Sequence, residues 1–180
     1  FKSRGLGDVY KRQDLMRSDF ARNGYVNGVP MGGELPVSSK GARPKLLIRA
    51  IRDPDGANLD RIQVVKGWLN ADGTTAERVY DVACAGRKLV KGACKSDVGN
   101  TVDVEAATYT NAIGRASLEA YWEDPSFDPR HSAFYYVRVI EIPTPRWTTK
   151  DAKFFGVELQ DGAPLSIQER AYTSPIWYTP

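Results

Sequence analysis

The residues best suited to chemistry in this 180-residue chain are carboxylates beside its one histidine. Glu123, Asp124 and His131 lie within the run "EDPSFDPRH". Carboxylate and imidazole groups can share acid and base catalysis when they meet around a substrate. Prolines beside these residues indicate turns instead, and one histidine cannot form a two-imidazole metal site. The sequence therefore predicts no catalytic and no metal-binding residue in this chain.

The two cysteines are a second candidate for chemistry. Cys84 and Cys94 are ten positions apart, which suits a disulfide that closes a small loop. An unstrained ring of this size would stabilise the fold by about 2–3 kcal/mol. It would also imply an oxidising compartment, either periplasmic or secreted. Two free thiols remain the alternative, and a metal site made of two thiolates alone has less support.

The first residues read as foreign to the protein. Residues 3–13, "SRGLGDVYKRQ", back-translate to a string that resembles a transposase adapter used to prepare DNA sequencing libraries. We expect residues 1–13 to be an adapter-derived, disordered segment. We also expect the chain to be the C-terminal piece of a longer protein.

Without residues 1–13 the chain carries 21 basic and 21 acidic residues. It then has no excess positive charge that would attract nucleic acid or an anionic membrane surface. No apolar run approaches the roughly 20 residues that span a bilayer. The composition therefore predicts neither a nucleic-acid partner nor a membrane span in this part of the protein.

The remaining sequence alternates short apolar runs with turn residues. Residues 14–45 are rich in glycine, proline and serine, which is typical of a connecting segment. Residues 148–159 predict one short helix capped by Thr148 or Thr149, and residues 115–123 could be either strand or helix. The strand candidates are 46–51, 60–69, 77–85, 101–110, 115–123, 132–142 and 171–180.

These strands predict an all-β domain over residues 46–180, an antiparallel, Ig-like β-sandwich with one short helix. In a sandwich, large aromatic side chains fill the space between the two sheets. The aromatic residues expected in this core are Trp68, Tyr80, Tyr109, Trp122, Phe134, Tyr136 and Trp177.

Several segments resemble the C-terminal end of the family named domain of unknown function 3604. They include "GYVNGVPMGGEL", "DPDGANLDRIQVVKGWL", "AFYYVRVIEIPTPRW" and "QERAYTSPIWYTP", and the resemblance runs from about residue 24 to residue 180. Family members are several times longer than this chain. Their N-terminal part resembles metal-dependent hydrolases of the polymerase-and-histidinol-phosphatase type. The resemblance thus implies a divalent metal in an N-terminal domain outside this chain, and no cofactor within it.

The implied role is that of an accessory β-sandwich packed on the hydrolase domain of the same protein. A carbohydrate- or ligand-binding module, with Trp68, Trp147 or Trp177 stacking on a sugar ring, is the main alternative. Catalysis by Glu123, Asp124 and His131 is a third. The candidate interdomain contacts are Val29, Pro30, Met31, Pro143, Pro145, Arg146 and Trp147.

Overall fold

A computed structural model of the chain describes residues 2–6, 20–37 and 42–180. These residues form fourteen strands and two helices. In chain order they are β1 (Lys2–Leu6), α1 (Phe20–Asn27), β2 (Gly28–Pro30), β3 (Glu34–Leu35), β4 (Lys45–Ile51), β5 (Leu59–Leu69), β6 (Thr75–Cys84), β7 (Leu89–Val90), β8 (Ala93–Cys94), β9 (Ser117–Glu123), β10 (Ala133–Glu141), β11 (Thr144–Pro145), α2 (Trp147–Phe155), β12 (Ser166–Ile167), β13 (Arg170–Tyr172) and β14 (Ile176–Tyr178).

Two sheets pack face to face around one hydrophobic core. The smaller sheet has the order β2-β1-β4-β9, and the larger has the order β3-β14-β10-β5-β6 with β13 also paired to β10. All of these pairs are antiparallel except β3 with β14. The predicted antiparallel β-sandwich is therefore confirmed, with one parallel edge pair in addition.

The core lies between the inward faces of β4 and β9 on one side and β5, β6 and β10 on the other. Period-two alternation in β10 turns every second residue inward. Each large aliphatic side chain buried in this way contributes about 1.5–3 kcal/mol. The fully buried members from the two sheets include Leu46, Ile48, Ile62, Val64, Tyr135, Val137 and Ile176.

The prediction that all seven aromatic residues lie in the core is wrong for three of them. Phe134, Tyr136 and Trp177 lie on the outer face of the larger sheet, because inward Tyr135 leaves its two neighbours on β10 facing outward. Tyr80 and Trp122 do pack in the core, with ring centroids 5.2 Å apart. Trp68 is partly buried and packs against the same core as Trp122 does, and Tyr109 is half-buried.

The predicted strand over residues 101–110 is replaced by a turn. Only one isolated bridge, between Asp103 and Thr108, has strand geometry within this segment. The Asp103 carboxylate accepts a hydrogen bond from the Ala106 backbone N–H, and Ala107 adopts a positive φ of 52°. This local side-chain bond competes with a sheet ladder and reverses the chain.

The ambiguous segment at residues 115–123 is the strand β9. It pairs along its whole length with β4, from Ser117 opposite Ile51 to Glu123 opposite Lys45. Its inward residues Leu118 and Ala120 are buried, whereas Glu119 between them is exposed. Cross-strand pairing and burial thus outweigh the helix propensity of its Ala, Leu and Glu residues.

The C-terminal segment, predicted as one strand, forms two. Strands β13 and β14 both pair with β10, and Thr173, Ser174 and Pro175 separate them. The Thr173 hydroxyl accepts a hydrogen bond from the Val137 backbone N–H, and the Thr173 N–H donates to the Val137 carbonyl. Pro175 cannot donate to the ladder, which accounts for the break.

Two segments expected to lack regular structure contain it. Residues 14–45 contain α1, β2 and β3. Lys2–Leu6, within the segment predicted to be disordered, forms β1. This strand pairs with β4, from Lys2 opposite Arg49 to Leu6 opposite Lys45. Strand pairing needs only backbone groups, and β4 would otherwise present an open edge here. Residues 7–13 lie outside the described part of the chain.

The predicted short helix is α2, but its cap differs from the prediction. Arg146 occupies the N-cap position and makes no side-chain capping bond. The Thr149 hydroxyl instead donates to the Leu165 carbonyl at 2.7 Å, and Gly156 ends the helix in the left-handed region with a φ of 65°. No helix among the described residues is long and apolar enough to cross a membrane.

Candidate functional site

Cys84 and Cys94 are joined by a disulfide in the structure, with Cα atoms 5.9 Å apart. The bond closes the loop that carries the β7–β8 hairpin at the end of β6. The Asp81 carboxylate accepts a hydrogen bond from the Cys94 N–H at 2.8 Å. From the loop, the Arg87 guanidinium donates to the carbonyl of Ser96, which follows the loop, at 2.6 Å. The disulfide therefore fixes a loop that backbone and side-chain bonds also hold.

A buried carboxylate, Asp60, anchors the base of this loop. Arg61 and Arg87 both form ion pairs with it, and Gln168 donates to it at 2.9 Å. Two guanidinium groups compensate for burying one carboxylate, which would be costly alone. A polar cavity of about 480 Å³ lies beside this cluster and reaches Pro143. With both of its oxygens engaged, Asp60 serves as an anchor between loops.

A second buried charge pair connects the two sheets. Lys66 on β5 is 3% exposed and Asp124, just after β9, is fully buried. The Lys66 Nζ atom lies 2.6 Å from Asp124 Oδ2, and the Tyr135 hydroxyl donates to the same oxygen at 2.7 Å. The other oxygen, Oδ1, accepts hydrogen bonds from the backbone N–H and the hydroxyl of Ser126. We refer to Lys66, Asp124, Ser126 and Tyr135 as the inter-sheet cluster.

The inter-sheet cluster changes the acidity of its tyrosine. Burial raises the pKa of the Tyr135 phenol above its ordinary value, and the Asp124 charge together with their hydrogen bond raises the pKa further. The neutral phenol is thereby held as a donor to the carboxylate. Lys66 also places its ammonium 5.1 Å from the centre of the Trp68 ring. These contacts give the buried ammonium, carboxylate and phenol of the cluster their partners.

The three residues considered for catalysis are not brought together. Asp124 is inside the inter-sheet cluster, Glu123 is exposed at the end of β9, and His131 lies in the next turn with its backbone N–H donating to the Asp128 carbonyl. The cavity beside His131 and Lys66 measures only about 20 Å³. A buried, fully bonded carboxylate cannot reach a substrate, so the arrangement offers no acid and base pair.

The outer face of the larger sheet carries a continuous row of aromatic rings. The Phe134 and Tyr136 rings are parallel within 9°, with centroids 6.3 Å apart. Trp177 lies 5.6 Å from Phe134 at one end, and Tyr172 lies 6.3 Å from Tyr136 at the other. We call these four residues, Tyr172, Tyr136, Phe134 and Trp177, the aromatic stripe. Trp177 and Tyr172 are about half exposed.

A glycine on the neighbouring strand sets the position of the central ring. Gly67 on β5 is directly opposite Phe134, and a Cβ atom there would lie 2.3 Å from the Phe134 ring. The ring therefore lies over the bare backbone of β5, as aromatic residues do opposite sheet glycines. Replacing Gly67 by any other residue would displace the Phe134 ring.

An open groove of about 490 Å³ borders the aromatic stripe. It crosses the ends of β6, β5, β10 and β14, and its lining includes Phe134, Trp68 and Trp177. Hydroxyl and carboxylate groups are also present among its lining residues. These polar residues are Thr75, Glu77, Ser132 and Thr179. Aromatic walls with a few polar groups are typical of ligand sites.

The residues predicted as interdomain contacts fall on two separate parts of the fold. Val29 and Pro30 belong to β2, and Met31 follows them. Backbone hydrogen bonds join this segment to β14 and the residue before it. The Gly32 N–H donates to the Pro175 carbonyl, and the Trp177 N–H donates to the Gly33 carbonyl. The other predicted contacts precede or begin α2. Of these, Pro145 is buried, Pro143 and Arg146 are half-buried, and Trp147 is 65% exposed.

Sequence reasoning missed Lys66, Tyr135 and the aromatic stripe as the notable features of this fold. Lys66 lies in the otherwise apolar run "IQVVKGWL", which was a signal for a buried charge that needs a partner. The described residues include no cluster of three or more His, Cys, Asp or Glu residues able to hold a metal ion.

The profile of the family described as Protein of unknown function (DUF3604) matches residues 6–180. This match confirms the resemblance seen from residue 24 onward and extends it toward the N-terminus. No curated protein and no solved structure matches the chain at a significant level. Because the family profile covers almost the whole sequence, the chain belongs to the DUF3604 family.

Proposed function

We propose that this chain is the accessory β-sandwich of a longer DUF3604 protein and packs through α2 on a metal-dependent hydrolase domain. The observation that carries the proposal is the exposure of the apolar residues of α2. Trp147, Phe154 and Phe155 are 65%, 81% and 68% exposed, and Thr149 is the one buried residue of the helix. A cluster of large apolar side chains in water is typical of an interaction site.

The helical period places these apolar side chains together. Trp147 and Phe154 are seven positions apart and share one face of α2, and Phe155 is adjacent to that face. The Phe154 and Phe155 rings contact each other edge to face, with centroids 4.9 Å apart. Thr149, which bonds to Leu165, lies on the opposite side and holds the helix to the sandwich. We call Trp147, Phe154 and Phe155 the α2 face.

The occupant of the α2 face follows from the family resemblance. Longer members resemble a metal-dependent hydrolase in their N-terminal part, and Trp147 belongs to the "IPTPRWT" segment predicted from the sequence as an interdomain contact. The described part of this chain brings together no group of three or more His, Cys, Asp or Glu residues. In the proposed arrangement, the hydrolase domain holds the divalent metal, and this chain supports the domain or completes one wall of its cleft.

A full-length parent protein carrying Trp147→Ser and Phe154→Ser tests the proposal. Interface aromatic residues often contribute more than 1 kcal/mol each to association. We therefore expect the double variant to separate the two domains, seen as faster limited proteolysis between them and as two thermal transitions in place of one. Metal content would be retained, and ester hydrolysis would fall if the chain completes the cleft.

Ile51→Ser provides the matched control, because Ile51 is 68% exposed and lies at the end of β4, a different element from α2. This control variant should behave as the unmodified parent does. Equal proteolysis and one shared thermal transition in the parent and in the α2 variant would contradict docking through α2.

A further inference from the structure

We propose that the aromatic stripe and its groove bind a neutral, β-1,4-linked polysaccharide chain. This inference goes beyond the proposed accessory role and uses a different surface, because the stripe lies on β10, β13 and β14 and the α2 face lies on α2. A variant in one surface can therefore be tested while the other is intact.

The rings are held in position before any ligand binds. Phe134 and Tyr136 are two residues apart on one strand, which puts them on the same face with their ring planes parallel within 9°. Trp177 is tilted by 55° to Phe134, and Tyr172 by 47° to Tyr136. Gly67 lets the Phe134 ring lie close to the sheet. Rings on adjacent strands cannot rearrange freely, so little conformational entropy is lost when a ligand covers them.

The electrostatics of the stripe favour a ligand with C–H groups on its face. The face of an aromatic ring is electronegative and attracts the weakly positive hydrogens of C–H groups. A β-1,4-linked hexose chain presents such C–H faces in an extended ribbon, because its linkages and hydroxyls are equatorial. An α-1,4-linked chain curves and cannot cover four rings in a row.

Polar groups lie beside the stripe, where the ring hydroxyls of a sugar would project. Glu77 lies directly opposite Gly67 on β6 and lines the groove. Beyond Tyr136, the Arg138 Nε atom donates to Gln63 Oε1 at 2.7 Å, and the Gln63 amide donates to Asp81 at 2.7 Å. Carboxylate, amide and guanidinium groups are the usual partners of sugar hydroxyls.

The charges around the stripe argue for a neutral ligand. Three carboxylates, Glu34, Glu77 and Asp81, and two guanidiniums, Arg61 and Arg138, lie on the outer face of the larger sheet. A surface with both signs of charge attracts neither a polyanion nor a polycation strongly. The aromatic area and the mixed hydrogen-bonding groups therefore fit an uncharged polyhydroxyl chain.

Titration of the chain with cellohexaose, followed by calorimetry and tryptophan fluorescence, tests the site. Trp177→Ala should lower the affinity at least tenfold, and Trp177→Phe should restore most of it because a ring remains. Glu77→Gln should weaken binding several-fold. Maltohexaose serves as the linkage control and should not bind. Phe154→Ser on the α2 face should bind cellohexaose with unchanged affinity.

The proposal is overturned if cellohexaose produces no signal, if maltohexaose binds equally well, or if Trp177→Ala retains the original affinity. Sedimentation of the same samples covers one further outcome. A dimer of the unmodified chain that Trp177→Ala dissociates would assign the stripe to a second copy and would also overturn it. Because these readouts use the isolated chain, they do not depend on docking to a hydrolase domain.

Discussion

At the scale of single residues, the inter-sheet cluster is the feature on which the fold depends most. Lys66 comes from the larger sheet and Asp124 from the end of the smaller one, and both are buried. Replacing such a pair with apolar groups is often tolerated, whereas removing one partner leaves an uncompensated buried charge. The cluster therefore makes the two sheets mutually dependent.

Asp124→Ala should destabilise the protein by about 3–5 kcal/mol because it leaves the Lys66 ammonium and the Tyr135 hydroxyl without their buried acceptor. Urea unfolding measures this loss. The double variant Lys66→Met with Asp124→Asn should lose less, since it removes both charges and keeps an oxygen for Tyr135. Asp128→Ala, which breaks the exposed pair with Arg130, is the matched control and should change stability little. Equal losses for Asp124→Ala and Asp128→Ala would show that the buried pair is unimportant.

Tyr135 should make the protein sensitive to alkali. Its pKa is raised in the folded state, mainly by burial. Above about pH 10 the unfolded chain loses the phenolic proton and the folded chain keeps it, so the unfolded state binds fewer protons and stability falls as pH rises. The contribution is fully present below that pH. We expect the unfolding free energy of Tyr135→Phe to decline less steeply above pH 10 than that of the unmodified protein. Parallel pH profiles for the two proteins would contradict this account.

At the scale of elements, three interactions fix the position of the disulfide loop. Besides the bond between Cys84 and Cys94, Asp81 accepts from the Cys94 N–H, and Arg87 connects the loop to buried Asp60. The bond should therefore add stability without being required for the loop to reach its position.

Cys84→Ala with Cys94→Ala should lower the unfolding free energy by about 2–3 kcal/mol, as expected when a short loop is no longer closed in the unfolded chain. The double variant should still fold, with faster proteolysis confined to residues 85–93. Maleimide labelling of the unreduced, denatured protein should find no free thiol. Labelling of both cysteines would show that they are not bonded.

Much of the fold at this scale was predictable from the sequence, because alternation and turn residues are local signals. Residues 60–69 and 132–142 were predicted as strands close to the observed bounds of β5 and β10. Two features could not be predicted from local signals. Residues 101–110 form a turn because the Asp103 carboxylate accepts a hydrogen bond from the Ala106 N–H. Residues 117–123 form a strand because they pair with β4, which is distant in sequence.

The candidate site was less predictable than the fold. Three consecutive aromatic residues, Phe134, Tyr135 and Tyr136, cannot all face one side of a strand, so alternation requires that some be exposed. Which of them face outward depends on the register of β10 with β5, and that register places Phe134 over Gly67. Partners such as Lys66 and Asp124 are 58 positions apart in the sequence, so no local pattern connects them.

At the scale of the whole molecule, the sandwich presents two apolar surfaces on different elements. The α2 face is formed by a helix that buries one residue, and the aromatic stripe is formed by strands of the larger sheet. The proposed accessory role assigns the first to another domain of the same protein. The proposed sugar site leaves the second open to a ligand, so the two proposals are compatible.

The central claim, that another domain covers the α2 face, is tested most directly by hydrogen–deuterium exchange. Peptides spanning residues 147–157 would be compared between the full-length parent and this chain alone. We predict slower exchange of these amides in the parent. Exchange in β10 should be unchanged, because its inward residues are already buried in this chain. Equal exchange of residues 147–157 in the two proteins would contradict the claim.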